Sequence, residues 1–278
     1  MREVCIDFSA YSSLRIGTPL QVSVIEKHTL EQDLFSLGFI SDSNQTQATN
    51  LIGKANNLLV SPNAKNLALL SKEFVSIDLY EDYLEIGAFT SSSKIYGFCK
   101  QQNLGGLEFL CGLPGSLGGI IKMNAGLKGT DGKIYEIASV LESVNINGEW
   151  VDCKDIAFNY RYSGICGCIT SAKVKKNKGF NMDLVSGFES IRAKHPKKPS
   201  CGSCFKNPQR DFAGRLLESV GLKGFCVGGV GFSENHANFL VNLGGGTFSQ
   251  AIELINLAKR RVFEEFGIAL ECEVQIIE

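Results

Sequence analysis

The 278-residue chain lacks an excess of either charge: 28 Lys and Arg stand against 29 Asp and Glu, a formal net charge of −1. Proteins that grip nucleic acid through its phosphates carry a basic surplus, so this balance excludes a bulk electrostatic mode of binding. No apolar run approaches the ~20 residues of a membrane-spanning helix. The opening MREVCIDFSAYSSLRIG has no charged segment followed by an apolar core of ~7–15 residues, so no secretory leader is expected and a cytoplasmic location is. Histidine is scarce. His28, His195 and His236 lie at no ligand spacing, and no metal is expected on them. Three catalytic signatures are missing as well. There is no GxxxxGK[ST] phosphate loop, and Gly229-Val230-Gly231 lacks the third glycine of the dinucleotide fingerprint. Gly202-Ser203-Cys204 lacks the second glycine of a GxSxG nucleophile elbow.

What is present has the balance of a folded protein, 44% hydrophobic and 21% charged, which argues against disorder, collagen and coiled coil. Two counts stand out, 30 Gly and 10 Cys. The cysteines include two close pairs, Cys166-Gly-Cys168 and Cys201-Gly-Ser-Cys204. Four clustered thiolates could hold zinc, and Cys201-x-x-Cys204 could be a redox pair. The single residue inside the first pair is short for a structural zinc site, and the second pair follows a Pro-rich stretch rather than a strand. In a cytoplasm that keeps thiols reduced, small core hydrophobes are the favoured reading.

Periodicity places the elements. Val75, Ile77 and Leu79 alternate, as do Leu84, Ile86 and Ala88, which predicts a hairpin. Residues 90–103 read as a helix, and Asn147-Gly148 between Ile146 and Trp150 reads as a hairpin turn. Helices are expected over 184–194 and 211–220, with Gly221 stopping the second. His195-Pro196-Lys197-Lys198-Pro199 between them reads as a linker. Residues 228–242 are strand-like. Thr247-x-x-Gln250 is a capping box that opens a long helix closed by Gly267, and 270–277 reads as a last strand.

Two loops rich in Gly and Asn remain as candidates for chemistry. One is Gly53-Lys54-Ala55-Asn56-Asn57-Leu58. The other is Gly112-Leu113-Pro114-Gly115-Ser116-Leu117-Gly118-Gly119, followed by Met123-Asn124-Ala125-Gly126. Successive backbone N–H groups in such turns can cradle an anion such as a pyrophosphate. Each alone is more often a plain turn.

These loops belong to an ordered set of motifs. Gly106-Leu107-Glu108, the second loop and Met123-Asn124-Ala125-Gly126 are followed by Tyr160-Arg161-Tyr162-Ser163. Then come Pro199-Ser200-Cys201-Gly202-Ser203-Cys204-Phe205-Lys206-Asn207-Pro208, Ala213-Gly214-Arg215-Leu216-Leu217-Glu218, Gly221-Leu222-Lys223-Gly224, His236-Ala237-Asn238-Phe239 and Leu270-Glu271-Cys272-Glu273-Val274. In this order and spacing the sequence resembles the UDP-N-acetylenolpyruvoylglucosamine reductases, flavoenzymes of peptidoglycan precursor synthesis, through most of its length. It departs from them at Ala55 and Asn56, where the family has Gly and Ser, at Leu127-Lys128, and at Ile276-Ile277. Its length resembles the compact type that lacks a substrate-clamping insertion.

The resemblance implies an α+β (mixed α/β) fold with a vanillyl-alcohol-oxidase-type FAD domain and a separate C-terminal substrate domain. It implies three parts: 1–55 with 274–278 as an N-terminal FAD-binding subdomain, 56–195 as the FAD-binding core, and 199–273 for the UDP-sugar. FAD is the implied cofactor and NADPH the implied hydride donor. Gly53, Ala55, Asn56, Asn57, Leu58, Gly112, Pro114, Gly115, Ser116, Gly118, Gly119, Asn124, Ala125 and Gly126 are the implied cofactor contacts. Tyr160, Lys206 and Asn207 are the implied substrate contacts. Ser203, Arg161 and Glu273 are the implied catalytic residues and should converge on one cleft. Ser203 would protonate the carbon α to the substrate carboxylate, and Arg161 would steady the enolate. Glu273, when protonated, would polarise the same carboxylate. A monomer acting on small molecules, without nucleic acid or membrane, is expected. A binding module that kept this fold without chemistry is the alternative, and the presence of all three residues speaks against it. Cysteines beside Ser203 and Glu273 suggest thiol modification as a route to inhibition.

Overall fold

Asn147-Gly148 makes the turn that its sequence predicts. Both residues have positive φ (55° and 96°), the backbone that a two-residue hairpin loop requires. The turn joins the strands Leu141–Ile146 and Glu149–Asp152 with Asn145 opposite Trp150. The computed structural model describes residues 1–40 and 49–278. Their mixed α/β chain divides into two compact units.

The first unit comprises 1–4, 22–54 and 66–193. Its main sheet is antiparallel, in the order Glu149–Asp152, Leu141–Ile146, Ile169–Lys175, Tyr83–Gly87, Ile77–Leu79. The expected hairpin of 75–88 forms its edge, with Ile77 paired to Ile86. Leu84 and Ile86 turn inward with Val144, Ala172 and Val174 and build the core, as alternation dictates. A second, smaller sheet runs in part parallel: Leu67–Leu70 lies between Pro19–Ile25 and Asn50–Leu51. The predicted helix forms over Ser92–Gln101, capped by Ser91 Oγ. The helix Met182–Arg192 is capped by Asn181, whose side chain accepts from the amides of Asp183 and Leu184. Asn181 N–H in turn donates to Glu108 Oε1 at 2.9 Å, and Gly106 N–H donates to Glu108 Oε2 at 2.7 Å. A carboxylate buried in this way is stable only when amides satisfy it. That requirement accounts for the acid in Gly106-Leu107-Glu108.

The second unit comprises 5–21, 55–65 and 194–278. Its antiparallel sheet has the order Ser200–Ser203, Phe239–Asn242, Val230–Phe232, Cys226–Val227. The capping box of Thr247 and Gln250 opens the helix Phe248–Phe266, and Gly267 closes it in the left-handed conformation. Ala251, Leu254, Ile255, Ala258 and Val262 bury one stripe of that helix. They join Leu216, Leu217, Phe205 and Phe232 in a second core.

Two sequence expectations differ from this arrangement. The last strand spans Gln275–Ile277 rather than 270–277. Ahead of it, the amides of both Glu273 and Val274 turn to one carbonyl, that of Cys204, which interrupts a regular ladder. That strand pairs in parallel with Leu58–Val60, where the sequence grouped 274–278 with 1–55, a range that includes 41–48, outside the described residues. The edge between units at Ala193/Lys194 falls next to the expected linker.

Candidate functional site

In the first unit the two Gly-rich loops meet at Gly53 and Ser116. A Cβ on Gly53 would lie 3.1 Å from Ser116 Oγ, and one on Gly119 would lie 3.7 Å from it. Ser116 is buried and stands at the N-cap position of Leu117–Lys122, yet its side chain makes no capping bond. The amides of Leu117 and Gly118 are already bound, to Thr90 O and Ala88 O. Those of Ser116 and Gly119 have no partner among the described residues. A serine hydroxyl without a partner among the described residues, with two open amides beside a glycine backbone, fits an anion such as a pyrophosphate.

Other glycines of the set have internal reasons. A Cβ on Gly118 would meet Ala88 Cβ at 3.2 Å, one on Gly112 would meet Leu127 Cδ1 at 2.7 Å, and one on Gly126 would meet Tyr135 O at 2.2 Å. These three are glycines because protein packs against them. Pro114 is exposed, and Ala125 is tied by its amide to Ile120 O and by its carbonyl to Ile137 N–H.

The first loop changes unit after Lys54. Ala55 holds a left-handed φ of 48° and is buried, with its carbonyl accepting from Ser13 N–H. Asn56 Nδ2 donates to Ser13 Oγ at 2.6 Å. Asn57 Nδ2 donates to Glu273 O at 2.9 Å, and Asn57 O accepts from Gln275 N–H. Leu58 begins the strand beside Gln275. The two asparagine side chains therefore hold protein, and one of them anchors the backbone of Glu273.

Arg161 sits in the first unit on a two-residue turn. Asn159 and Tyr162 pair across it, and Tyr160 and Arg161 form its tip. Arg161 adopts φ 55°, a conformation that costs a non-glycine residue ~1–2 kcal/mol. Three bonds tie this hairpin to 122–126. Asn124 Nδ2 donates to Asn159 O (3.1 Å), Ser163 Oγ donates to Lys122 O (2.9 Å), and Arg161 Nη2 donates to Gly126 O (3.3 Å). Arg161 also lies over the Tyr160 ring, 5.3 Å from its centroid. Asn124 is committed on every side. Its Nδ2 also donates to Glu136 Oε2, and its Oδ1 accepts from Ala138 N–H. It is read here as a support of the Arg161 turn, a role that the sequence, which placed it against the cofactor, did not suggest.

In the second unit Ser203 ends the strand Ser200–Ser203 at a bulge. Ser200 faces Val241 and Ser203 faces Phe239, so three steps on one strand oppose two on the other. Gly202 supplies the positive φ (85°) that the bulge needs, with open space where a Cβ would be. Bulges re-aim a side chain, and they recur beside active sites. The Ser203 hydroxyl has no partner among the described residues. The following segment runs beside 271–273. Phe205 bridges Cys272, Lys206 N–H donates to Glu271 O, and Glu273 N–H donates to Cys204 O at 2.8 Å. Ser203 and Glu273 thus lie on adjoining segments of one unit. Lys206 Nζ pairs with Glu271 at 2.5 Å. Asn207 Oδ1 accepts from Ala213 N–H at the start of the helix Ala213–Ser219, so half of its amide serves as a cap.

No group of three or more His, Cys, Asp or Glu among the described residues could hold a metal. The ten cysteines are free thiols. Burial pushes the Cys201 thiol up to about 12 and raises Cys204 well above its usual range, with the Glu273 and Cys272 charges adding to both shifts. Protonated, buried thiols are poor nucleophiles, so these two flank Ser203 as inert packing and are not a handle for inhibitors.

The sequence left Asn238, Glu108 and Ser13 without roles. Asn238 and Glu108 stand inside motifs quoted for the resemblance, and that was the available signal. Ser13 lies in none of them.

Comparison with known proteins follows the same lines. Residues 194–277 match the family model described as UDP-N-acetylenolpyruvoylglucosamine reductase, C-terminal domain. The chain is 52% identical to the UDP-N-acetylenolpyruvoylglucosamine reductase of Helicobacter hepaticus over 278 residues, covering 100% of both. It is 43% identical to that of Campylobacter jejuni (strain RM1221), covering 98% of this chain and 99% of the relative. The crystal structure of UDP-N-acetylenolpyruvylglucosamine reductase from Thermus caldophilus superposes with a TM-score of 0.80 at 30% identity, over 100% of both chains.

Proposed function

The chain belongs to the UDP-N-acetylenolpyruvoylglucosamine reductase family, and we propose that it reduces the enolpyruvyl ether of its UDP-sugar substrate to UDP-N-acetylmuramate for peptidoglycan synthesis. The observation that carries this reading is Ser203: a hydroxyl with no partner among the described residues, aimed by a bulge, on the segment that binds Glu273.

Bound FAD would supply hydride transfer, drawn from NADPH and delivered to the carbon β to the substrate carboxylate. Ser116, Gly119 and Gly53 are the residues that would hold its pyrophosphate, in a flavin fold of the vanillyl-alcohol-oxidase type. The charge left on the α carbon must be quenched. Ser203 gives its proton there, forming the C–H bond as its own O–H bond breaks, and water restores the proton. Arg161 is a permanent planar cation suited to the substrate carboxylate, and it stabilises the enolate as charge builds. Glu273, when the substrate's charge keeps it protonated, donates a hydrogen bond to the same carboxylate. Lys206, Tyr160 and Asn207 contact the UDP-sugar. Arg161 comes from the first unit and the other two catalytic residues from the second. The enzyme acts as a monomer in the cytoplasm. Among the described residues no helix is long and apolar enough to cross a membrane.

Purified protein should be yellow with flavin absorbance, and a folded protein that takes up no FAD would sink the reading. In Ser203→Ala, NADPH should still reduce the flavin at the normal rate. Reoxidation by substrate should slow by ~10²–10⁴-fold, the usual worth of general-acid assistance. Unchanged reoxidation would remove Ser203 from the role of acid.

A further inference from the structure

A bulged strand end is a poor place to hold an acid. The ladder is broken there, and the backbone after Ser203 must find its bonds elsewhere. It finds three of them on one residue. Asn238 is 3% exposed. Its Oδ1 accepts from Phe205 N–H at 3.0 Å, and its Nδ2 donates to Phe205 O at 2.8 Å. Its own carbonyl accepts from Cys204 N–H at 2.7 Å. The side-chain amide thus stands in for the missing neighbouring strand and satisfies both polar groups of Phe205. From there the bonding continues: Cys204 O accepts from Glu273 N–H. One buried amide therefore fixes the segment that leaves Ser203 and, through one peptide group, the backbone of Glu273.

We propose that Asn238 is a positioning residue of this reaction: it sets Ser203, and with it Glu273, in register for proton delivery. The proposal rests on the reading of Ser203 as the acid. Asparagine suits the task because one planar group offers a donor and an acceptor at the spacing of a peptide. Aspartate keeps the acceptor and sets an oxygen against Phe205 O. Alanine removes both bonds. Displacement of a reacting group by about 1 Å can cost ~10²-fold in rate. Such a loss should fall on the substrate step and spare the step that Ser203 does not serve.

The test uses flavin-loaded enzyme and its two half-reactions, reduction by NADPH and reoxidation by the enolpyruvyl substrate. Asn238→Ala should slow reoxidation by ~30–100-fold with reduction within about twofold of the parent. Asn238→Asp should fall between the two. In a Ser203→Ala background Asn238→Ala should add little, because the two residues act as one unit. Equal losses in both half-reactions would overturn the proposal, as would full additivity with Ser203→Ala. So would a failure of both Asn238 variants to yield folded, flavin-loaded protein, which would make Asn238 a residue of stability alone. If Ser203→Ala itself reoxidises normally, the assignment of the acid fails first. If Ser203→Ala is slow and Asn238→Ala is not, the positioning role alone fails.

Discussion

Each unit holds one buried asparagine beside a proposed catalytic residue, and the two asparagines work differently. Asn238 spends its side chain on a single residue, Phe205, and completes a broken ladder. Asn124 divides its side chain among three places, Asn159, Glu136 and Ala138, and gathers separate segments under the turn of Arg161. The backbones differ as well. Asn124 and Arg161 both occupy left-handed φ, at 40° and 55°. At Ser203 the positive φ falls on Gly202, where it is tolerated. The first unit therefore stores strain at its cation, whereas the second avoids strain at its acid. Strain that persists must be held by its surroundings, and the three bonds from the hairpin to 122–126 are that restraint.

The contrast can be broken at Arg161. Arg161→Gly should slow reoxidation by substrate ~10²–10³-fold, the scale for losing one charge-stabilising group. The same change relieves ~1–2 kcal/mol of left-handed strain and removes the bond to Gly126 O, worth ~0.5–1.5 kcal/mol, so the melting temperature should stay close to that of the parent. A fall in melting temperature would show that the guanidinium holds the turn rather than being held by it. Next in size, Asn124→Ala should destabilise by ~3 kcal/mol in urea unfolding, because loss of the buried Asn124 side chain leaves three part-buried polar groups without a partner. A loss below ~1 kcal/mol would mean that the hairpin stands without it. Gly202→Ala should cost ~1 kcal/mol by the same measurement, through φ alone, since nothing stands where its Cβ would go.

A separate effect, seen only at high pH, concerns both units. Burial raises Cys99 and Cys168 in the first unit and Cys201 in the second from 9.0 to about 12. The folded state therefore binds protons that the unfolded state releases above pH 9. The stabilising contribution is complete below that pH and is lost as pH rises toward about 12. Denaturant midpoints should fall across that window. A Cys99→Ala, Cys168→Ala, Cys201→Ala variant should show a shallower fall, and an unchanged slope would remove the thiols as its cause.

Much of the fold was legible because it depends on neighbours in sequence. The Asn147-Gly148 turn, the Thr247–Gln250 capping box and the buried stripe of Phe248–Phe266 each follow from spacing. What escaped depends on approach through space. Gly112, Gly118 and Gly126 read as a cofactor cradle and are required by Leu127, Ala88 and Tyr135. Asn56 and Asn57 read as cofactor contacts, yet their side chains bind Ser13 and Glu273. The pattern of 270–277 predicts a longer strand than Gln275–Ile277 because it does not reveal that two amides share one carbonyl. The site's residue types were legible through ordered motifs. The supports beneath them were not, since an asparagine in a motif does not show which backbone it grips.

That shared carbonyl belongs to Cys204. Its peptide groups accept from Glu273 and Val274 and donate to Asn238, while its side chain has 0% exposure and only fills space. The position thus serves through atoms that nearly every amino acid carries. Saturation mutagenesis at 204 should return active enzyme with small apolar residues of unrelated chemistry. It should reject proline, which alone removes the N–H. A site can depend strictly on a position whose letter is almost free to drift.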